Sequence, residues 1–397
     1  MTAALRKTTE ALASELSSPT QQSPQWNEFE WRIAKAVAAM QGIASLLWGS
    51  LRWQGPASWR RFLEQQRDHI LRRQQRISQL LERIDVAAGR EGIAAMALKG
   101  AALHAAGVYQ AGERPMADID LLVRPSDEPA MLRLLQGLDY SITTTTWRHQ
   151  ALMPRIHSPN AALGEHADNP IRVELHTRIM ELLPIRAVEI TSLLLPHEMR
   201  AGLNAYPCAA ALMMHLVLHA AGSMRSRALR LIQLHDIARL AARLSAADWE
   251  QLRSAGLDAG LWWVAPPLIL TARYHPGVIP HSVLAQLEGE CTWLLARRAR
   301  RQGLMAVSWS NVRIEAFPGI EWARTPREAW RFALSRICPS REALHDLEVY
   351  STQNPRTAAI PWYGISHGER ILRWVFSRPP RVQSMLTIRA ALEQPGD

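Results

Sequence analysis

"MALKGAALHAAGVYQAGERPMADIDLLVRP", residues 96–125, sets a Lys-Gly turn, an Arg four residues ahead of an Asp-x-Asp pair, and that pair inside thirty positions. The segment "IAAMAL" (93–98) has the short apolar run of a buried strand, and "KG" turns it into the helix-forming "AALHAAGVY". A loop, "QAGERPMA", leads to a second strand, "DIDLLV" (118–123), which Pro125 stops. Side chains alternate along a strand, so Asp118 and Asp120 point one way while Ile119, Leu121 and Val123 point the other. Two carboxylates roughly 7 Å apart on one face can bracket a divalent cation.

A third acid lies downstream. In "IRVELHTRI" (171–179), Ile171, Val173 and Leu175 share one face, and Arg172, Glu174, His176 and Arg178 share the opposite one. If this strand lies beside the first, Glu174 joins the aspartates. Three like charges on a buried sheet repel unless a cation offsets them. Magnesium suits that role, because it takes oxygen ligands, keeps some of its waters and bridges carboxylates to phosphates. Lys99, the backbone N–H groups after Gly100, and Arg114 would face a triphosphate. The chemistry expected is in-line displacement at the α-phosphorus with a two-metal site, Glu174 helping to deprotonate the acceptor hydroxyl.

These residues resemble the signature of the bacterial "uncharacterised nucleotidyltransferase" family, within the DNA polymerase β-like nucleotidyltransferase superfamily. The resemblance is carried by an apolar strand, Leu-Lys-Gly-x-Ala-Leu, an Arg before the acids, Asp-Ile-Asp-Leu-Leu-Val, a helix ending near Gly-x-x-Tyr, and an acid before Leu-His in "VELHTRI". It is closest over residues 92–140 and looser to about residue 240. It implies that Asp118, Asp120 and Glu174 bind metal and that Gly100 stands in the nucleotide-binding turn. It also implies that His219, Arg230 and Asp236 belong to a helical region covering the nucleotide cleft. This chain departs from the superfamily at Ala101, where a Ser or Gly usually follows the glycine, and at Glu174, where Asp is commoner. Members of the resembling family are sometimes encoded beside peptide natural-product pathways, lasso peptides among them. That implies a peptide or small metabolite as acceptor and a nucleoside triphosphate, ATP first, as donor.

At 397 residues the chain has room for two or three cores. The expected fold is α+β: a small mixed-sheet nucleotidyltransferase core over 91–181, with a helical region at 26–90 before it and a helical domain at 182–350 after it. Residues 1–25, rich in Ser, Thr and Gln, suggest a disordered leader, and 351–397 a basic, Pro- and Gly-punctuated tail with a terminal helix. Ser58 is the expected N-cap of a long helix whose Arg- and Gln-rich face points to water. Three scattered cysteines indicate neither a disulfide framework nor a zinc cluster, no apolar run is long enough to span a membrane, and a cytoplasmic location is the default.

The net charge of +10 favours an anionic partner. Lysine occurs only at positions 7, 35 and 99, against 43 arginines. So strong a bias points to genomic base composition, and nucleic acid is not the expected partner. It leaves Lys99 as the one lysine after residue 35, inside the motif. "HLVLH" (215–219) and His235-Asp236 compete as a metal-dependent phosphohydrolase set, but both lie in Leu-, Met- and Ala-dense helices where packing histidines are the plainer reading. Two further alternatives are a non-catalytic binding protein on the same fold and an antitoxin-like enzyme that AMPylates a protein hydroxyl.

Overall fold

The computed structural model describes residues 1–146, 148–157, 163–196, 198–309, 315–341, 344, 365–377 and 388. The chain opens with helices α1 (Thr2–Ser17), α2 (Glu28–Met40) and α3 (Ala44–Ser50), followed by the 34-residue α4 (Ala57–Arg90). The leader expected to be disordered is instead helical. Leu5, Leu12 and Ala13 share a face of α1 and are fully buried, a stripe that its many Ser and Thr residues mask by composition. The helical run expected from Trp26 to Ser50 breaks at Gly42, whose φ of 70° admits the left-handed turn between α2 and α3. Asn27 and Glu30 close a capping box on α2. Ser58 is not a cap; α4 starts after Pro56, with no side-chain capping bond.

Next come β1 (Ala94–Ala97), α5 (Lys99–Ala105), β2 (Asp118–Val123), α6 (Glu128–Gly137), β3 (Tyr140–Thr145), β4 (Gln150–Pro154) and β5 (Arg172–His176). The turn expected at 158–160 lies outside the described residues. From Leu182 a wholly helical pattern was expected, yet three short strands occur: β6 (Met180–Leu182), β7 (Ala187–Glu189) and β8 (Gly202–Asn204). The first two form a hairpin; the third extends the main sheet. Three residues are too few to show alternation, so tertiary pairing alone makes β8 a strand. The sheet therefore runs past residue 181, in the order β3-β4-β5-β2-β1-β8. Pairs β2·β5 and β1·β8 are parallel; β1·β2, β3·β4 and β4·β5 are antiparallel.

After α7 (Thr191–Leu194) and β8 the described part of the chain has helices and no further strand: α8 (Ala209–Arg225), α9 (Leu231–Ala241), α10 (Ala246–Arg253), α11 (Ala265–Tyr274), α12 (His281–Gly289), α13 (Trp293–Arg301) and α14 (Pro326–Ile337). Of the tail, α15 (His367–Phe376) is described; the rest of the expected terminal helix lies outside the described residues, apart from Ile388. The architecture is α+β, with helices on both sides of the sheet in the chain.

Two apolar clusters meet along α4. Its first half gives Trp59 and Leu63 to the helical core, and its second half lays Ile77, Leu80 and Ile84 on one face of the sheet. That face presents Ile119, Leu121, Val123, Val173 and Leu175. Burying it leaves the alternate side chains, Asp118, Asp120, Glu174 and His176, on the other face toward α8 and α9. Among the described residues no helix is long and apolar enough to cross a membrane.

Candidate active site

The parallel register of β2 and β5 pairs Asp120 with Glu174 and Asp118 with Arg172. The three acids expected from alternation thus stand on one face of adjacent strands. They border a cavity of about 350 Å³ that Lys99, Gly100, Arg114, His219, Arg230 and Asp236 also line, so all nine residues singled out from the sequence converge there.

The acids carry cations of their own. Nζ of Lys99 is 2.8 Å from Oδ1 of Asp120, and Nε2 of His176 is 3.1 Å from the same oxygen. Arg172 Nη2 lies 2.5 Å from Oε1 of Glu174 and 3.5 Å from Oδ2 of Asp118. Burial opposes the charge on Asp120, but Lys99 and His176 outweigh it and hold its pKa well below the ordinary value. Burial likewise opposes the Lys99 ammonium, and Asp120 and Asp118 overcome it, so its pKa rises. Glu174 goes the other way: burial, then the charges of Asp120 and Asp118, raise its pKa despite Arg172 and Lys99. Lys99 and Arg172 therefore offset two of the three acidic charges, and the need for a further cation is smaller than the bare acids suggested. Lys99 also adopts φ 46°, a left-handed conformation that costs a non-glycine residue about 1–2 kcal/mol. It turns the chain sharply from β1 into α5 and brings the ammonium back over β2.

Arg73 of α4 aligns the starts of both acid-bearing strands. Its guanidinium donates to the carbonyls of Met116 (2.8 Å) and Ala117 (2.7 Å) before β2, and of Asn169 (2.5 Å) and Pro170 (3.0 Å) before β5. The Arg- and Gln-rich face of α4 was expected to be solvated, and Arg73 departs from that. A signal was there: Gln66 and Arg73 fall in the buried stripe Leu63, Ile70, Ile77, Leu80, Ile84, where apolar residues would be usual.

Opposite the sheet stand α8 and α9. Arg114 was expected to offer its fork to a phosphate, but both prongs are engaged by Asp236, Nε to Oδ1 and Nη2 to Oδ2, each at 2.7 Å. Tyr109 donates a third bond to Asp236 at 2.7 Å. This pair ties the loop before β2 to α9. It also explains Gly100: a Cβ there would collide with Arg114 Nη1 and come within 3.0 Å of Met116. Gly100 thus makes room for the clamped arginine beneath it.

Arg230, at the start of α9, is the uncommitted cation of the wall. Its Nε donates to the Met40 carbonyl at 2.9 Å, and it forms no ion pair with a described carboxylate. Burial lowers its pKa, though it stays charged at neutral pH. His219 lines the same cavity with a pKa of about 3, set by burial and then by Lys99, and is neutral at physiological pH.

The competing histidine set is not assembled. His215 shares a 2.7 Å hydrogen bond with Tyr206, Asp236 is held by Arg114 and Tyr109, and the His235 ring lies 5.2 Å from that of His275, tilted by 54°. Among the described residues the one group spaced to share an ion is His149, Glu174 and His176. Sequence reasoning missed His149. It precedes Gln150, which pairs with Leu175, so the antiparallel register of β4 and β5 brings it beside His176. Nothing local marks it.

A family model described as "Uncharacterised nucleotidyltransferase" matches residues 27–263, more than half the chain and the span from α2 to the beginning of the later helices. No curated protein and no solved structure matches the chain.

Proposed function

The chain belongs to the uncharacterised nucleotidyltransferase family, and from that premise we propose that it transfers a nucleoside monophosphate from a nucleoside triphosphate, ATP first, to a hydroxyl on a peptide or small metabolite. The observation that carries this reading is the Asp120–Glu174 register at the border of a cavity with Lys99 on its floor and Arg230 on its wall. Asp118, Asp120 and Glu174 offer oxygen donors only and retain net negative charge beside Lys99 and Arg172, the donor chemistry that hard Mg²⁺ ions prefer. When bound, such ions would offset the charge developing on the α-phosphate and on the attacking and leaving oxygens.

The chain's own groups do the rest. Arg230 receives the phosphate tail, and Lys99, on the floor of the same cavity, neutralises it further. The acceptor oxygen forms a bond to the α-phosphorus as the bond to the β-phosphate oxygen breaks, and pyrophosphate leaves. Glu174, beside the cavity, is placed to take the acceptor's proton. The wall of α8 and α9 keeps water from the α-phosphorus.

ATP with Mg²⁺ should raise the melting temperature of the wild type, and Asp118→Ala or Asp120→Ala should abolish that shift and cut turnover by on the order of 10³-fold. A shift indifferent to Mg²⁺ and to both substitutions would sink this reading. A second reading, a non-catalytic binding protein, is favoured by the Lys99–Asp120 contact, which already places an ammonium against the acid pair. Labelled ATP incubated with peptide, metabolite and protein acceptors separates the cases, including AMPylation of a protein, by where the label is found.

A further inference from the structure

Behind the acid cluster a second cavity of about 120 Å³ is lined by His149, His176, Arg178, Glu181 and His215, and shares Lys99, Glu174 and His219 with the first. The donor atoms of His149, Glu174 and His176 all lie within 4.8 Å of one another. Nε2 of His149 is 3.6 Å from Oε2 of Glu174, and Nε2 of His176 is 3.8 Å from that same oxygen. Both separations exceed hydrogen-bond reach. They approach the roughly 3.3 Å that separates two donors each about 2.05 Å from one tetrahedral ion. Nδ1 of His149 is buried with no hydrogen-bond partner among the described residues, and Nε2 comes no nearer than 3.6 Å to the Glu174 carboxylate. A half-buried imidazole turned toward a carboxylate, with no described group at bonding distance from either nitrogen, fits a ligand that the described residues do not supply.

We propose that His149, Glu174 and His176 form a binding site for a divalent transition ion, which shares Glu174 with the all-oxygen position at Asp118 and Asp120 but differs from it in donor chemistry, both histidines facing Oε2 of Glu174. Two imidazoles and one carboxylate favour Mn²⁺, Fe²⁺, Co²⁺ or Zn²⁺ over Mg²⁺, which prefers oxygen. The hydrogen bond between His176 and Asp120 gives way on binding, because the Nε2 lone pair turns to the ion and the ring proton moves to Nδ1. The three ligands leave further coordination positions open on the side of the second cavity. The role of the ion, though not its existence, rests on the nucleotidyl-transfer reading: those open positions would take the acceptor's oxygen next to Glu174, leaving the larger cavity to the triphosphate.

The test is a Co²⁺ titration of chelator-stripped full-length protein, followed by calorimetry and by visible ligand-field absorption, with Mg²⁺ as the competitor. One equivalent should bind, resist excess Mg²⁺, and give the absorption of a low-coordinate nitrogen–oxygen site. His149→Gln and His176→Gln should each weaken binding by at least about 10–100-fold and change the spectrum. Circular dichroism and the melting temperature check that each variant folds. Pulsed electron paramagnetic resonance of the Mn²⁺-loaded wild type gives a reading free of any substitution, as imidazole nitrogen should couple to the ion. A Co²⁺ spectrum unchanged in His149→Gln, displacement by equimolar Mg²⁺, or absence of nitrogen coupling overturns the proposal. Failure of the nucleotidyl-transfer reading looks different: no triphosphate stabilises the protein, while Co²⁺ still binds through His149.

Discussion

The sheet side of the cavity and the helical side hold charge in different ways. On the sheet, Asp118, Asp120 and Glu174 come from two adjacent strands and share short, single contacts with Lys99, Arg172 and His176. On the helical side, Asp236 is closed into a two-pronged clamp with Arg114, while Arg230 pairs with none of the described carboxylates. One-point contacts exchange partners readily, whereas a bidentate buried pair resists exchange. The comparison teaches that convergence on a cavity does not make residues equivalent. Arg114 and Asp236 line the site as framework, whereas Arg230 and Lys99 are the cations that the proposed transfer would use as receptors.

The strongest way to break that division is Asp236→Ala. It strands a buried guanidinium and should cost about 3–5 kcal/mol of stability, measured by denaturant unfolding. If instead the protein keeps its stability and loses only nucleotide affinity, Asp236 is a ligand and not a clamp. Gly100→Ala comes next. The new methyl meets an arginine that Asp236 does not let swing aside, so a loss of about 1–3 kcal/mol is expected, together with weaker triphosphate binding. A combined Gly100→Ala and Arg114→Leu variant should show less than the sum of the two losses.

Arg230→Gln probes the receptor side. Triphosphate affinity should fall about tenfold or somewhat more, as for one charge-assisted contact, with the melting temperature of the free protein nearly unchanged. Glu174→Gln probes the sheet side, and its effect on stability is small and opposite in sign to those of Asp236→Ala and Gly100→Ala. Burial and the neighbouring Asp120 and Asp118 raise the folded-state pKa of Glu174 above its unfolded value. Its contribution therefore favours the fold at low pH and is lost as pH rises through the raised pKa. Without metal, Glu174→Gln should melt a few degrees above the wild type at neutral pH, the difference closing as pH falls to roughly 4. Wild-type activity should be absent from it at every pH, a gain in stability bought with function.

Much of the sheet floor was legible because strand alternation is a local rule. Ile119, Leu121 and Val123 announce a buried face, and with it the direction of Asp118 and Asp120. The same rule places Glu174, provided that β5 lies beside β2, and the parallel register supplies that condition. The disordered-leader expectation failed at Leu5 and Leu12 because composition averages away an apolar stripe. β8 escaped notice because three residues hold too little pattern, and Arg73 because a long helix rich in arginine invites a solvent-facing reading.

From the amino-acid order alone came the acid pair on one strand face, its lysine, and the α+β class, since each depends on neighbours within a few positions. Tertiary structure alone decided that Arg114 is tied to Asp236 at 122 positions' distance, that Arg73 pins two strand starts, and that His149 approaches Glu174. Those outcomes depend on strand register and helix docking, which are set by the burial of whole faces and leave no trace in the spacing of the residues they join.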